Sequence, residues 1–242
     1  LCMSCGNTLL AVVMQFIDFL RRNPDVLEAL KQKTLMLYPL SLYWEPTLQF
    51  NIDSEYPSTS IYPSPLVVYL AMQLMTLGCK VIAHAPQPPL DFYREFDDMS
   101  QDEQSRQVTK YSSYLDQAKS ADIFLLGIGT GQHDARYGTV LDELGIDLTE
   151  QFADDEGMAG EIGYQPFDPK GQFAHFPKLI AVTGEELAAL SQNNTKIIAT
   201  LGGEQKIPAL RALLQRDQLP FNVLVTDETI ASIVDRDPAQ TW

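Results

Sequence analysis

The sequence is poor in cysteine, and the few that it has do not predict a metal site. It contains 3 cysteines among 242 residues, at Cys2, Cys5 and Cys79. Cys2 and Cys5 form a CxxC pair, but neither a second pair nor a histidine cluster accompanies it, as a zinc site would require. We interpret the three as buried or loop thiols in a reducing cytoplasm.

Basic residues are also scarce, which argues against a nucleic-acid partner for this chain by itself. The sequence has 17 Lys and Arg against 32 Asp and Glu, and its formal net charge is -15. Binding to a phosphate backbone depends on Lys and Arg that displace counterions. We therefore expect no direct DNA binding by these residues.

Long apolar runs are missing as well. No stretch approaches the ~20 apolar residues that a membrane span requires. The apolar segment from Leu9 to Leu20 has no basic segment before it and no small-residue cleavage site after it, so it predicts an amphipathic helix and not a signal sequence. We expect a cytoplasmic protein without a membrane partner.

What is present is the composition of a packed globular domain. Hydrophobic residues make up 45% of the chain and charged residues 20%, the balance of an ordinary globular protein. The length suits one large α/β domain, and we expect residues 1–242 to form it.

Apolar strand segments alternate with helical segments along most of the chain. This pattern predicts parallel strands that are covered on both faces. We expect an α/β fold with a doubly wound, Rossmann-like, mostly parallel sheet and helices on both faces. The predicted strands are Leu1–Ser4, Thr34–Tyr38, Lys80–Ala85, Ile123–Leu126, Gly160–Phe167 (a strand or hairpin arm), Leu179–Val182, Lys196–Leu201 and Asn222–Val225. The predicted helices are Leu9–Arg22, Leu66–Leu77, Ser100–Ser120, Tyr137–Leu144, Leu148–Phe152, Gly184–Leu190, Ile207–Arg216 and Asp227–Val234.

Glycine-rich junctions follow three of the predicted strands. Open α/β sheets bind ligands beyond the carboxyl ends of their strands, where helix N-termini offer free N–H groups. The first junction, SCGNTL, contains Gly6, Asn7 and Thr8, for which a plain helix cap is the alternative interpretation. The second, GIGTGQ, contains Gly127, Gly129 and Thr130. It departs from GxGxxG because Gln132 occupies the last position, so it is a weak dinucleotide signal.

The third junction is the most specific. In LGGEQK, Gly202 and Gly203 follow a buried strand, and Lys206 lies in the first turn of the next helix. A helix dipole favours acids at that place, so a lysine there predicts an anionic ligand. A solvated surface lysine is the alternative.

Two carboxylates and the histidines are further candidates. Glu161, where an apolar strand meets a turn, could accept hydrogen bonds from sugar hydroxyls. Asp227 is equally well explained as the N-cap of the last helix. The scattered His84, His133 and His175 have no ligand spacing, so we predict no metal site.

Taken in order, the motifs resemble a known family. SCGNTL, PLVVYLAMQLMTLGCKVI, ADIFLLGIG, GEIGYQPFDPKG, LGGEQKIPALRALL and FNVLVTDETIASIV resemble the effector-binding domain of SorC/DeoR-type bacterial transcriptional regulators. The resemblance covers essentially the whole chain. Each motif alone is weak, but their order and spacing are specific.

The resemblance implies a ligand sensor and not an enzyme. Its fold is similar to sugar-phosphate isomerases and glucosamine-phosphate deaminases, and it implies a phosphorylated sugar effector that modulates oligomerisation and DNA binding. It also implies a homo-oligomer, a dimer or tetramer, with no cofactor. Family members contact DNA through an N-terminal helix-turn-helix region, which nothing before Leu1 supplies, so the chain resembles an excised sensor domain.

The resemblance also implies roles for individual residues. Phosphate contacts are implied for Gly6, Asn7 and Thr8, with Gly127 and Gly129 beside them, sugar hydroxyl contacts for Glu161, and charge neutralisation for Lys206. The predicted effector site further includes Ser64, Thr130, Gly202, Gly203 and Asp227.

Two departures from the family pattern affect the ligand. Cys5 and Asn7 replace the aromatic and the basic or small residue that are common there, so an arginine-like phosphate contact is missing. The segment from Trp44 to Pro63 is rich in proline and tyrosine where the family is glycine-rich. Either the ligand differs from the common sugar phosphates, or contacts come from Ser58, Thr59 and Ser64.

Two enzyme classes are the alternatives. A sugar-phosphate isomerase or deaminase would need a base near the ligand, and His133 and Asp134 follow GIGTG, but no paired acid and base is apparent. A nucleotide-dependent oxidoreductase ranks last because no acidic residue follows a proper glycine fingerprint at the required distance of about 20 residues.

Overall fold

A computed structural model of the protein describes residues 1–42, 63–86, 88, 90–130, 152 and 157–235. The strands are β1 (Cys2–Met3), β2 (Thr34–Pro39), β3 (Ser41–Leu42), β4 (Lys80–Ala83), β5 (Ile123–Thr130), β6 (Gly160–Ile162), β7 (Gln165–Phe167), β8 (Ile180–Ala181), β9 (Lys196–Thr200) and β10 (Val223–Val225). The α-helices are α1 (Asn7–Arg22), α2 (Pro24–Lys31), α3 (Pro63–Thr76), α4 (Leu90–Glu95), α5 (Gln101–Ala118), α6 (Gly184–Ser191), α7 (Ile207–Leu214) and α8 (Glu228–Asp235). Short 3-10 helices cover Phe96–Asp98 and Glu204–Lys206.

The main sheet has parallel strands in the order β10-β9-β5-β1-β2-β4. From β1 the chain adds β2 and β4 on one side, and it then crosses to add β5, β9 and β10 on the other. The order therefore reverses between β1 and β5, where Cys2 lies opposite Phe124. Open α/β sheets form their ligand crevice at such a switch point.

Two hydrophobic cores lie on the two faces of this sheet. Because side chains alternate along a strand, Cys2 of β1 belongs to one core and Met3 to the other. Helices α1 and α3 pack over the face that contains Met3. The opposite core contains buried residues of α5, α6, α7 and α8. The predicted doubly wound α/β fold with helices on both faces is confirmed.

Strand β5 is longer than its sequence predicts. The predicted end at Leu126 is wrong, because the strand continues through Gly127 to Thr130. The reason is a new partner: β6 pairs antiparallel with the extension, with Gly129 opposite Glu161. The hairpin of β6 and β7 thereby lies against the end of β5.

Other predicted elements need correction too. The segment around Ile180 is a strand, but β8 pairs antiparallel with β3 in a separate two-stranded sheet and not with the parallel strands. Helix α3 begins at Pro63 and not at the predicted Leu66, so Ser64 lies inside its first turn. Proline fits there because first-turn N–H groups have no intrahelical partner.

Helices α2 and α4 and strand β3 were not predicted. Helix α2 has a recognisable signal in Pro24 at its first position and an apolar stripe after it.

Several predictions lie outside the described residues. These are the irregular segment from Trp44 to Ser60, the helix from Tyr137 to Leu144, His133, Asp134, and all but the last residue of the helix from Leu148 to Phe152. Among the helices that the structure describes, none has the length and apolar character needed to cross a membrane.

Candidate functional site

A cleft of about 420 Å³ lies at the switch point, at the carboxyl ends of β1 and β5. Its lining combines all three predicted glycine junctions with the hairpin of β6 and β7. The lining residues are Cys5, Gly6, Asn7, Thr8, Gly127, Ile128, Gly129, Thr130, Glu161, Gly202, Gln205 and Lys206. Nine of the predicted site residues are thus brought together, and their role in ligand binding stays a prediction.

The N-terminus of α1 forms one wall of the cleft. Gly6 precedes the helix with φ 109°, a conformation that favours glycine. A Cβ atom there would meet no atom of the described residues within 4 Å. Gly6 is the N-cap and has no side chain to cap this end, and the first turn holds no acidic residue. The first-turn N–H groups and the positive end of the dipole therefore face a cleft lined by Gly6, Asn7 and Thr8, which suits an anion.

Gly127 allows close contact between β5 and the turn that follows β1. A Cβ atom on Gly127 would lie 2.8 Å from the carbonyl oxygen of Cys5. The N–H of Gly127 donates to the buried Ser4 hydroxyl at 2.7 Å. This amide is therefore bonded within the protein, and a ligand contact by Gly127 stays a prediction.

Gly129 makes room for the side chain of Glu161. A Cβ atom on Gly129 would overlap the Glu161 carboxylate. The other carboxylate oxygen, Oε2, accepts the N–H of Tyr164 at 2.8 Å. Tyr164 and Gly163 have φ of 68° and 57°, as in the primed two-residue turns of β-hairpins. The turn and the glycine together hold Glu161 in the cleft wall.

The environment of Glu161 changes its acidity. Burial raises its pKa to about 7, against the opposing effects of the Tyr164 N–H and of Lys206. A carboxyl group in this range carries a proton on a substantial fraction of molecules near neutral pH.

Lys206 is the last residue of the 3-10 helix that precedes α7. Its side chain is half-buried and lines the cleft. Burial lowers its pKa, and the charge of Glu161 opposes that effect. Among the described residues, no carboxylate lies within ion-pairing distance of it, although seven other ion pairs are present there. A half-buried cation without a partner costs free energy unless an anion compensates it. This position weakens the alternative of a solvated surface lysine.

Gly203 and Asp227 lie outside the cleft lining. Asp227 caps α8, because its Oδ1 accepts the N–H of Ile230 at 2.9 Å, and its Oδ2 accepts the N–H of Gly203 at 2.7 Å. These two N–H groups lower the pKa of Asp227. The capping interpretation is confirmed. The exposed Asp227 side chain thereby joins the start of α8 to the loop that contains Gly203.

Replacing Asp227 by alanine should lower the melting temperature at pH 7 by a few degrees and leave ligand affinity almost unchanged. Because the folded-state pKa is depressed, the stabilisation is present above the unfolded value and is lost as the pH falls through the folded one. The difference in melting temperature between wild type and variant should therefore shrink at acid pH. A change in affinity as large as that of a cleft variant would show that Asp227 contacts the ligand.

Ser64 also lies outside the cleft lining. It is buried in the first turn of α3, and its hydroxyl has no hydrogen-bond partner among the described residues. A ligand contact by Ser64 stays a prediction.

Some residues of the site were not predicted. Gln205 and Cys5 line the cleft, and the buried Ser4 and Thr200 hydroxyls join strand ends beneath it: Thr200 donates to the carbonyl of Leu126 at 3.0 Å. Gln205 stands beside Lys206, so its position in the same junction was an available signal. Ser4 is the first residue of SCGNTL, but its bond to Gly127 could not be predicted, because the two residues are 123 positions apart.

The histidines and cysteines form no metal-binding cluster in the part of the chain that the structure describes. His84 stacks on Tyr38 with ring centroids 5.0 Å apart. Burial raises the pKa of Cys2 and of Cys5, which keeps both thiols protonated.

Solved structures with this fold include bacterial transcriptional regulators. A DeoR family transcriptional regulator from Listeria monocytogenes is 18% identical, with a TM-score of 0.57, over 96% of this chain and 78% of that one. A transcriptional regulator from Streptococcus pneumoniae is 16% identical, with a TM-score of 0.57, over 98% and 78%. The full-length sorbitol operon regulator SorC from Klebsiella pneumoniae is 18% identical, with a TM-score of 0.56, over 96% and 64%. At these identities the likeness shows the fold alone.

The chain spans 64% of the SorC chain and 78% of the other two. A search of the curated proteins found no match. A family model, Sugar-bind, describes a sugar-binding domain and matches residues 96–234, which is more than half of the chain. The protein therefore belongs to the sugar-binding domain family.

Proposed function

We propose that the cleft binds a small phosphorylated sugar and that the domain senses this ligand for a bacterial transcriptional regulator. The observation that carries the proposal is one shared location: the N-terminus of α1 and Lys206, which has no ion pair within the described part of the chain, line the same cleft. Family membership supports a sugar, and these two features support the phosphate.

The charge balance explains why the local geometry matters. A chain with a formal net charge of -15 repels anions at long range. An anion therefore needs a local attraction, which α1 supplies as about half a positive charge and Lys206 as a full one. Phosphate oxygens accept hydrogen bonds from both kinds of donor.

Polar groups remain for the sugar. Asn7, Thr130, Glu161 and Gln205 line the cleft beside the proposed phosphate position. Its volume of about 420 Å³ lies in the range of about 300–1,000 Å³ that is usual for small-molecule sites.

The regulatory part of the proposal follows from the relatives. The structural neighbours are named as transcriptional regulators. In such a protein the ligand would shift an equilibrium between conformations or assemblies. The assembly would be a homodimer or homotetramer of this domain, and a separate region would contact DNA. The domain of residues 1–242 would then act in the cytoplasm without catalysing a reaction.

A panel of ligands tests the ligand class. A sugar phosphate at 100 times its dissociation constant should add roughly 2.7 kcal/mol of stability. That corresponds to an increase in melting temperature of about 5–10 °C for a domain of this size. The panel contains ribose 5-phosphate, fructose 6-phosphate, glucose 6-phosphate and glucosamine 6-phosphate, each beside its unphosphorylated sugar. If no phosphorylated member shifts the melting curve, the proposed ligand class is wrong.

One observation favours an enzyme as the second candidate. Glu161, with a pKa of about 7, has the acidity of a general base for proton transfer at a sugar carbon. Incubation with the same phosphates should give no isomerisation and no release of ammonia. Steady turnover that Glu161→Gln abolishes would replace the sensor proposal by the enzyme.

A further inference from the structure

Two ionisable side chains of opposite sign face the proposed anion. Lys206 and Glu161 both line the cleft, and each affects the pKa of the other through its charge. With both ionised, their formal charges cancel. The attraction for a dianion would then depend on the N-terminus of α1 alone.

Glu161 cannot easily turn away from the cleft. One of its oxygens lies against the backbone of Gly129 on β5, and the other accepts the Tyr164 N–H of the hairpin turn. Among the described residues, the titratable groups that face it are Lys206 from the 3-10 helix, the Cys5 thiol from the turn after β1, and Tyr164 from the hairpin. The carboxylate therefore stays beside the bound anion.

We propose that an anion entering the cleft is accompanied by one proton, which Glu161 takes up. The carboxylate becomes a neutral carboxyl group, and the cleft gains one positive charge relative to its free state. This inference rests on the proposed function and adds a coupling between ligand binding and pH.

The direction of the coupling follows from linkage. In the free protein, burial raises the pKa of Glu161 to about 7. A phosphate dianion bound in the same cleft would raise the pKa of Glu161 further, because a second negative charge nearby disfavours the ionised carboxylate. Affinity for the anion should then increase as the pH falls from 8 to 7, by up to about tenfold per pH unit. It should level off near pH 6, where the free protein already carries the proton.

Titration calorimetry measures the number of protons that the protein takes up per bound anion. The protein is titrated with the sugar phosphates of the panel and with sulfate, at pH 8 in two buffers of different ionisation enthalpy. Wild type should take up close to one proton per bound anion at pH 8 and much less at pH 6. Sulfate does not titrate in this range, so any proton that accompanies it belongs to the protein.

Two variants identify the group. Glu161→Gln keeps an oxygen for the Tyr164 N–H, and it should bind the anion with little proton uptake and little pH dependence. Glu204→Gln is the matched control, because it removes an equally charged but exposed carboxylate from the same 3-10 helix. It should behave as wild type does.

The outcomes separate the two proposals. Equal proton uptake in wild type and Glu161→Gln would overturn the role of Glu161 and leave ligand binding intact. Uptake by wild type that does not decrease between pH 8 and pH 6 would overturn it even if the variant failed to fold. Failure of every anion to bind would remove the proposed function, and this coupling with it.

Discussion

Replacing Lys206 by methionine should weaken binding of a sugar phosphate by about 1.5–3 kcal/mol, on the order of 10- to 150-fold. Its unphosphorylated sugar should lose almost nothing. The reason is that Lys206 is half-buried in the cleft and has no carboxylate within ion-pairing distance among the described residues, so its charge is available to a phosphate. Methionine keeps the length of the stem and leaves no buried charge, so the variant should fold.

The matched control is Lys196→Met. Lys196 is exposed at the start of β9, the strand that leads to the same junction, and lies at the opposite end of the sheet from the cleft. Titration calorimetry with paired phosphorylated and unphosphorylated sugars measures both variants. Equal losses for the two ligands, or equal effects of the two variants, would show that Lys206 is not the phosphate contact.

Gly127→Ala should destabilise the protein by about 1–3 kcal/mol and abolish measurable ligand binding. The added Cβ atom would lie 2.8 Å from the carbonyl oxygen of Cys5, and a backbone atom cannot move aside as a side-chain end can. Relief requires the turn after β1 to shift, and that turn carries Gly6 and the start of α1. Denaturant unfolding and the ligand titration should report both effects.

Gly202→Ala is the control for this substitution. Gly202 also lines the cleft, but among the described residues its added Cβ atom would meet only the Asp227 carboxylate, at 3.4 Å. This variant should keep most of its stability and its affinity. If Gly127→Ala melts and binds as wild type does, close approach between β5 and the turn is not what shapes the cleft.

The fold could be predicted from the sequence because it follows from the local pattern of apolar and polar residues. Apolar strands that alternate with amphipathic helices require a sheet buried on both faces, and the two cores on either side of β1 meet that requirement. The end of β5 was not predictable from its own residues. Gly127 and Gly129 indicate a loop when only neighbours in sequence are considered, while their partners, Ser4 and Glu161, are remote in the chain.

In the candidate site, too, features that depend on neighbouring residues could be predicted, and features that depend on remote residues could not. Lys206 was predicted because a basic residue in a first helical turn conflicts with the dipole. It does line the cleft, but the predicted first-turn position is wrong, because Lys206 ends the 3-10 helix and is the N-cap of α7. Asp227 followed an equally local rule and caps α8. The acidity of Glu161 could not be predicted, since it depends on burial and on the hairpin turn at Tyr164.

A crystal structure of the protein with a bound sugar phosphate would test the central claim most directly. The account predicts that phosphate oxygens lie about 3 Å from the N–H groups at the start of α1 and from the Nζ of Lys206. Glu161 should lie beside the ligand in the same cleft. A phosphate bound elsewhere on the protein, with the cleft between β1 and β5 empty, would contradict it.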